Sequence, residues 1–192
     1  MPMSMSRLIV LGAVRTYQPV HGYDLRRQLE GWHVAEWANL SYGSIYFNLK
    51  SLAEVGLLEE VGTDQVGNRP ARTTYRLTAT GEAEFQQLLR SAWWEYERGI
   101  DPFAAGLAFM TILPRDELIA ALEHRARVLR SGAQGMEFAA RAQLDDPDAP
   151  HIAETFWLLS ARMVAEATWA DEAVSRIRQG QRPWTTGLPA SR

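Results

Sequence analysis

The feature that most limits this chain is a change of hydrophobic period across Gly56. Before it, Ile45, Leu49 and Leu52 recur at i, i+4 and i+7, which lines one side of a helix over Tyr42 to Val55. After it, Leu57 to Val61 reads as a strand. A polar turn follows, ending Gly67-Asn68-Arg69-Pro70. In Arg72 to Leu77, Thr73, Tyr75 and Leu77 alternate with Arg72, Thr74 and Arg76, the period of a half-buried strand. A helix running directly into a β-hairpin with a basic tip is the layout of a winged helix-turn-helix. That layout sets a helix in the major groove of double-stranded DNA and the hairpin against the adjoining backbone.

The rest of the chain reads as helical. Ser6 to Tyr17 forms a first helix, apolar on most of its surface, as a buried helix requires. His21 to about Glu30 forms a second, stopped near Gly31, and Trp32 to Leu40 is an irregular aromatic connection. Ser41 is placed to cap the helix that follows. Thr78 opens a fourth helix reaching roughly Arg98, ended by Gly99 and Pro102. Pro114 opens another, in which Ile119, Leu122, Ala126, Leu129, Ala133, Met136 and Ala140 follow steps of three and four, a heptad seam. The last helix, about Ile152 to Arg178, carries Ile152, Phe156, Leu159, Met163, Ala170, Val174 and Ile177 on one seam. The fold class expected is mainly α with a small β-hairpin. Residues 1–99 would form the winged domain with a long linking helix, residues 100–180 a helical dimerisation and effector domain, and residues 181–192 a loose tail.

Composition narrows the function. There are no cysteines, so neither disulfides nor thiol chemistry contribute. Met1 to Ser6 shows no charged run ahead of a long apolar stretch, so no secretory signal is expected. No apolar segment reaches the length of a membrane span. A cytoplasmic protein is the resulting expectation. Residues 1 to 90 hold nine basic and nine acidic side chains, and residues 91 to 192 hold eleven and fourteen. Attraction to DNA therefore has to come from local placement of charge rather than from its sum. Lys50 is the only lysine among the 20 basic residues.

On the helix before Gly56, Gly43, Phe47, Lys50 and Glu54 project opposite the core stripe, with Ser44 and Ser51 on the flank. Phe47 either packs on a thymine methyl in a major groove or tucks against a neighbour. Lys50 can neutralise a phosphate or reach guanine. Ser41, Tyr42, Ser44 and Tyr46 lie near the helix start, where hydroxyls can donate to phosphate, although Tyr46 can equally be half core. Arg69 at the hairpin tip and Arg72 after it are placed to touch backbone or minor groove.

The runs His21-Gly22-Tyr23-Asp24-Leu25, Gly43-Ser44-Ile45-Tyr46 with Leu49-Lys50-Ser51-Leu52, Gly56-Leu57-Leu58, Gly67-Asn68-Arg69-Pro70, and Tyr75-Arg76-Leu77-Thr78 with Gly81 closely resemble the PadR family of transcriptional regulators. The resemblance covers about residues 7 to 90. It implies a winged-helix homodimer that represses a nearby promoter and is released by a small effector, phenolic for some members. The long second half resembles the larger of the family's size classes, in which a C-terminal helical domain dimerises. The family often has proline where Phe47 stands.

The last helix carries a second apolar surface of Trp157, Ala161, Val164, Ala165 and Trp169. A helix apolar on two sides has to bury both. One can meet the heptad helix, and the other is covered either by the fourth helix of the same chain or by a second chain, whose two-fold axis would match an inverted repeat in DNA. In the fourth helix, Phe85, Leu88, Leu89, Ala92 and Tyr96 form one stripe. Trp93 lies near its edge and Trp94 points away, which marks an interface or a pocket wall. Glu166 falls where the seam expects an apolar group, so it either reaches water or meets an arginine or a ligand. Trp93, Trp94 and Glu166 are thus candidates for binding a small aromatic effector, with Arg125 and Arg162 available for a carboxylate.

Nothing in the sequence reads as an enzyme. His21, His33, His124 and His151 lack metal-ligand spacing. Tyr42-Gly43-Ser44 lacks the second glycine of a nucleophile elbow. No glycine-rich phosphate loop or cofactor motif is present. The rival to a DNA-binding repressor is a winged-helix protein-interaction module, which would have no need of an outward Lys50, Arg69 and Arg72.

Overall fold

A computed structural model describes residues 5–38, 40–64, 72–96, 99 and 101–181. The chain divides into two compact units, Met1–Arg98 and Gly99–Arg192.

The first unit is built in the order α1 (Met5–Tyr17), β1 (Val20–His21), α2 (Gly22–Gly31), α3 (Val34–Trp37), α4 (Tyr42–Glu54), β2 (Leu58–Asp64), β3 (Arg72–Leu77) and α5 (Ala79–Trp94). The expected hairpin is one part of a three-stranded antiparallel sheet, ordered β1-β3-β2. Val20 pairs with Tyr75 and His21 with Thr74. On the other side Leu58 pairs with Leu77, and the register slips between Glu60 and Gly62, which puts a bulge at Val61. The aromatic connection after α2 contains a further short helix, α3. Gly31 lies inside α2, and Trp32 caps it.

Large aliphatic side chains hold this unit together. Val10, Leu11 and Val14 of α1, Leu25 and Leu29 of α2, and Ile45 and Leu49 of α4 are all but fully buried in one cluster, with Phe85 and Leu88 of α5 packed on its edge. A buried leucine or isoleucine contributes about 1.5–3 kcal/mol by leaving water. Two glycines make close joins. Gly56 takes φ +74, a left-handed turn that ends α4 at low steric cost. A Cβ at Gly81 would lie 2.0 Å from the Leu57 carbonyl oxygen, so only glycine lets α5 start against the end of α4. The Thr78 hydroxyl accepts from the Gly81 N–H at 3.0 Å and caps α5.

Across this start, the Arg15 Nε–H donates to both oxygens of Glu82, at 2.9 and 2.8 Å. Hydrogen bonds from Gln86 and then Arg15 hold the Glu82 carboxyl below the usual carboxylate range. The fourth helix ends at Trp94 rather than near Arg98, because Glu95 turns to extended backbone with ψ 133. Tyr96 therefore lies beyond the helix and is exposed, off the stripe assigned to it.

The second unit contains α6 (Pro102–Ala108), a 3-10 turn at Met110–Ile112, α7 (Arg115–Leu144), a 3-10 turn at Pro150–Ile152 and α8 (Ala153–Arg178). Pro102 opens a helix rather than only ending one. The Asp101 Oδ1 accepts from the Phe103 N–H at 2.9 Å, and proline sits at the first helical position. α7 and α8 run antiparallel. Arg178 meets Glu123 at 2.6 Å, Arg130 meets Asp171, and the Ser160 hydroxyl donates to Glu137 at 3.4 Å. The heptad seam faces α8, with Ile119, Leu122, Ala126, Ala133 and Ala140 buried and Leu129 and Met136 half-buried. Opposite lie buried Phe156, Ala167, Ala170, Val174 and Ile177. At the closed end the buried Gln143 donates to the Ala149 carbonyl at 3.2 Å and to Asp146 at 3.0 Å, fixing the loop between the helices.

Among the described residues no helix is long and apolar enough to cross a membrane. The tail assigned to residues 181–192 lies, but for Gln181, outside the described residues.

Candidate nucleic-acid interface

α4 is set by its two faces. Ile45, Leu49 and Leu52 are buried, which fixes its rotation on the core. Ser41 stands before it in extended backbone. Its Oγ accepts from the Ser44 N–H at 3.3 Å and lies 2.8 Å from the Ser44 hydroxyl. Both hydroxyls are thus engaged at the positive end of the helix, where N–H groups favour an anion.

The outward face carries what the periodicity placed there. Phe47 is 73 % exposed, so it does not tuck against a neighbour. The Lys50 side chain is 78 % exposed, and among the described residues its Nζ pairs with Glu54, at 3.9 Å. Such a surface pair is worth about 0–1 kcal/mol, so Lys50 is released readily to a phosphate. Gly43 is exposed at the N-terminal end of the same face, without a side chain to hold a partner away.

The flank is more ordered than sequence showed. Tyr46 is partly exposed and rests against Gly22 at the start of α2. The Tyr42 ring is covered by the Arg26 guanidinium, 5.2 Å from its centroid, and Arg26 also lies 5.6 Å from the Tyr23 ring. The same guanidinium meets Glu30 at 3.1 Å. Arg26 and Tyr23 therefore belong to the neighbourhood of the interface, although neither was a candidate from sequence. The i, i+3 spacing of Tyr23 and Arg26 puts them on one side of α2, but their meeting with Tyr42 is tertiary. Asn48, also overlooked, donates to the Ser44 carbonyl at 2.7 Å and accepts from the Ser6 hydroxyl at 3.5 Å, tying α4 to α1.

The base of the wing is well tied. His21 Nδ1 and the Thr74 hydroxyl lie 2.9 Å apart, and the Leu77 N–H donates to the Gln18 side chain at 2.8 Å. Tyr75, half-buried in β3, has its phenol pKa raised, by burial first and then by the Glu60 carboxylate. Arg76 pairs with Glu59 at 3.7 Å. Arg69 and the turn around it lie outside the described residues. The backbone of Arg72 pairs with Asp64 at the far end of the described sheet.

Residues 10–87 match the family model described as the transcriptional regulator PadR-like family. Residues 10–87 of the first unit are a PadR-like domain. Solved relatives share its fold over most of both chains. Bacillus subtilis PadR in complex with operator DNA has 19% sequence identity, with 92% of this chain and 99% of that chain covered at a TM-score of 0.67. The same regulator in complex with p-coumaric acid has 18% identity, with 90% and 98% covered at 0.67. The Vibrio cholerae virulence activator AphA has 20% identity, with 91% and 99% covered at 0.60. No protein of curated function matches the sequence.

The effector candidates divide between the units. Trp93 and Trp94, at the end of α5 in the first unit, are 81 % and 86 % exposed. The placement of Trp93 near the core edge is thus corrected: α5 outruns the core it packs on, so both indoles face away from it. Glu166, in the second unit, meets an arginine, the Nε–H of Arg125 at 2.5 Å. Trp169 is corrected as well. It is half-buried inside its own chain, edge-on to Phe103 at 5.8 Å, rather than part of the second apolar surface. Trp157, Ala161, Val164 and Ala165 remain exposed on α8.

Proposed function

We propose that this protein is a cytoplasmic, dimeric, DNA-binding transcriptional regulator that represses a promoter through an inverted repeat and is released by a small aromatic effector. The observation that carries it is the outward face of α4: Phe47 and Lys50 stand clear of the fold, on the side opposite the buried Ile45, Leu49 and Leu52. Ser41, Tyr42, Ser44, Tyr46, Phe47 and Lys50 would form the groove contact, and Arg69 and Arg72 the wing contact. The fold shared with the Bacillus subtilis protein described with operator DNA supports this reading, and the one described with p-coumaric acid supports an aromatic effector. Trp93, Trp94 and Glu166 are the residues proposed for that response.

The test is operator affinity as a function of salt. Operator fragments are recovered from the genome with the protein and titrated by fluorescence anisotropy. Lys50→Ala with Arg69→Ala should weaken binding across all sequences and lower the salt slope by about one per lost phosphate contact. Unchanged affinity and slope would remove these residues from the interface. Binding of no genomic fragment at low salt would favour the protein-interaction module instead.

A further inference from the structure

One arginine beside α4 has a place and a partner that the fold does not require. Arg26, on α2, lies with its guanidinium carbon 5.2 Å from the centre of the Tyr42 ring and 5.6 Å from that of the Tyr23 ring. Both tyrosines are exposed. Tyr42 is the first residue of α4, so this charge lies at the start of the helix proposed to enter the groove. Arg26 Nε also meets Glu30 Oε1 at 3.1 Å.

We propose that Arg26 binds a backbone phosphate of DNA, released to it by Glu30, which holds the charge in the free protein. The inference rests on the DNA-binding reading and adds to it a contact on α2, outside α4 and the wing.

Three observations carry it. The first is that local stability does not account for the pair. Glu30 lies in the last turn of α2 (Gly22–Gly31), where free carbonyls disfavour a carboxylate. A cation four residues ahead of its carboxylate is also the weaker order for an ion pair on a helix. Lys50 and Glu54 repeat the arrangement on α4, with Glu54 the last residue of that helix. Each of these cations beside the proposed groove contact is thus held by a carboxylate at a helix end. The second is donors. A guanidinium carries five N–H donors. The Nε–H is not aligned on the Glu30 oxygen for a hydrogen bond, and Nη1 and Nη2 have no hydrogen-bond partner among the described residues. The Nη donors therefore remain for phosphate oxygens, which suit the planar fork of an arginine. The third is preparation. Ordering a long, flexible side chain on binding is costly. Two aromatic faces already hold this guanidinium in place. The Arg26 and Glu30 side chains are also only about a third exposed, so salt screens a contact there less than one on the open surface.

Titration of the full-length protein against operator fragments recovered from the genome, by anisotropy over a salt series, tests the contact. Arg26→Gln should bind about tenfold more weakly and lower the salt slope by about one per protomer bound. Arg26→Lys keeps the charge and should keep the slope, with an affinity between those of Arg26→Gln and the parent. Glu30→Gln breaks the same ion pair but leaves the cation, so it should bind severalfold tighter than the parent. Arg90→Gln removes an equal charge from α5 and should leave affinity and slope as they are. The proposal is overturned if Arg26→Gln keeps the parent's slope or if Arg26→Lys falls to the slope of Arg26→Gln. It is overturned also if Glu30→Gln weakens binding, which would make the pair a tie within α2, or if Arg90→Gln matches Arg26→Gln, which would make the effect one of total charge. A parent that binds no fragment removes the DNA-binding reading and this contact with it. A parent that binds, with Arg26→Gln binding equally, removes this contact alone.

Discussion

The two units bury large and small apolar residues in different proportions. In the first, the large aliphatic side chains are inside: Leu11, Leu25, Leu29, Ile45 and Leu49 are almost wholly removed from water. In the second, small residues share the contact between the two long helices with large ones: Ala126, Ala133, Ala140, Ala167 and Ala170 are buried beside Leu122, Phe156 and Ile177. Many of its large apolar side chains are outside, among them Val128, Phe138, Trp157, Leu158 and Val164. Alanines let two helices approach closely but remove little area from water per residue. A unit built so leaves much of its hydrophobic energy unspent until another surface covers it. On the proposed dimer, the second unit would be completed by a second copy, whereas the first fills its own core.

The largest test of that contrast is Leu25→Ala. A leucine deleted from a filled core should cost about 2–5 kcal/mol, read as a lower urea midpoint for the first unit. A cost under 1 kcal/mol would mean that this core is not the tight one. The next is Val164→Asp on the exposed face of α8. It should leave helical content unchanged and weaken self-association tenfold or more in sedimentation at low micromolar concentration. A truncated chain ending near Gly99 should likewise associate poorly. If Val164→Asp unfolds the protein instead, that face packs within one chain and the contrast fails.

The smallest effect belongs to Glu82. Its carboxyl is held below the usual value of 4.5 by Gln86 and Arg15. A carboxyl depressed in the folded state contributes stability above its unfolded pKa, and this is lost as pH falls through the folded one. Glu82→Gln should therefore flatten the acid end of the thermal-stability profile, below about pH 4.5, with little change near neutrality. Parallel profiles for parent and variant would show that the pair is too exposed to matter.

What was legible in sequence was what depends on neighbours along the chain. The stripe of α4, its Ser41 cap, the Gly56 stop, the period-two strand and the α7 seam are all local patterns. What was not legible depends on distant pairing. β1 is only Val20 and His21, too short to show a period, and exists because Tyr75 and Thr74 lie beside it. Arg26 looked like an ordinary surface cation because the ring it covers, Tyr42, is on another helix. α6 is a different kind of miss. Asp101-Pro102 is a local capping signal for α6, but Pro102 after Gly99 equally suits the end of the helix before it. For the interface, Phe47 and Lys50 were placed outward from spacing alone, whereas Trp93 was misjudged because spacing does not tell where a core stops.

The exposure of Phe47 and Lys50 has an evolutionary consequence. Surface positions away from caps and buried contacts change stability by roughly 0.5 kcal/mol or less when substituted. The residues proposed to read bases are therefore ones the fold hardly needs. On the proposed interface a lineage could exchange them and acquire a new operator without a compensating mutation elsewhere, while Ile45, Leu49 and Leu52, on the opposite face of the same helix, are held by the core.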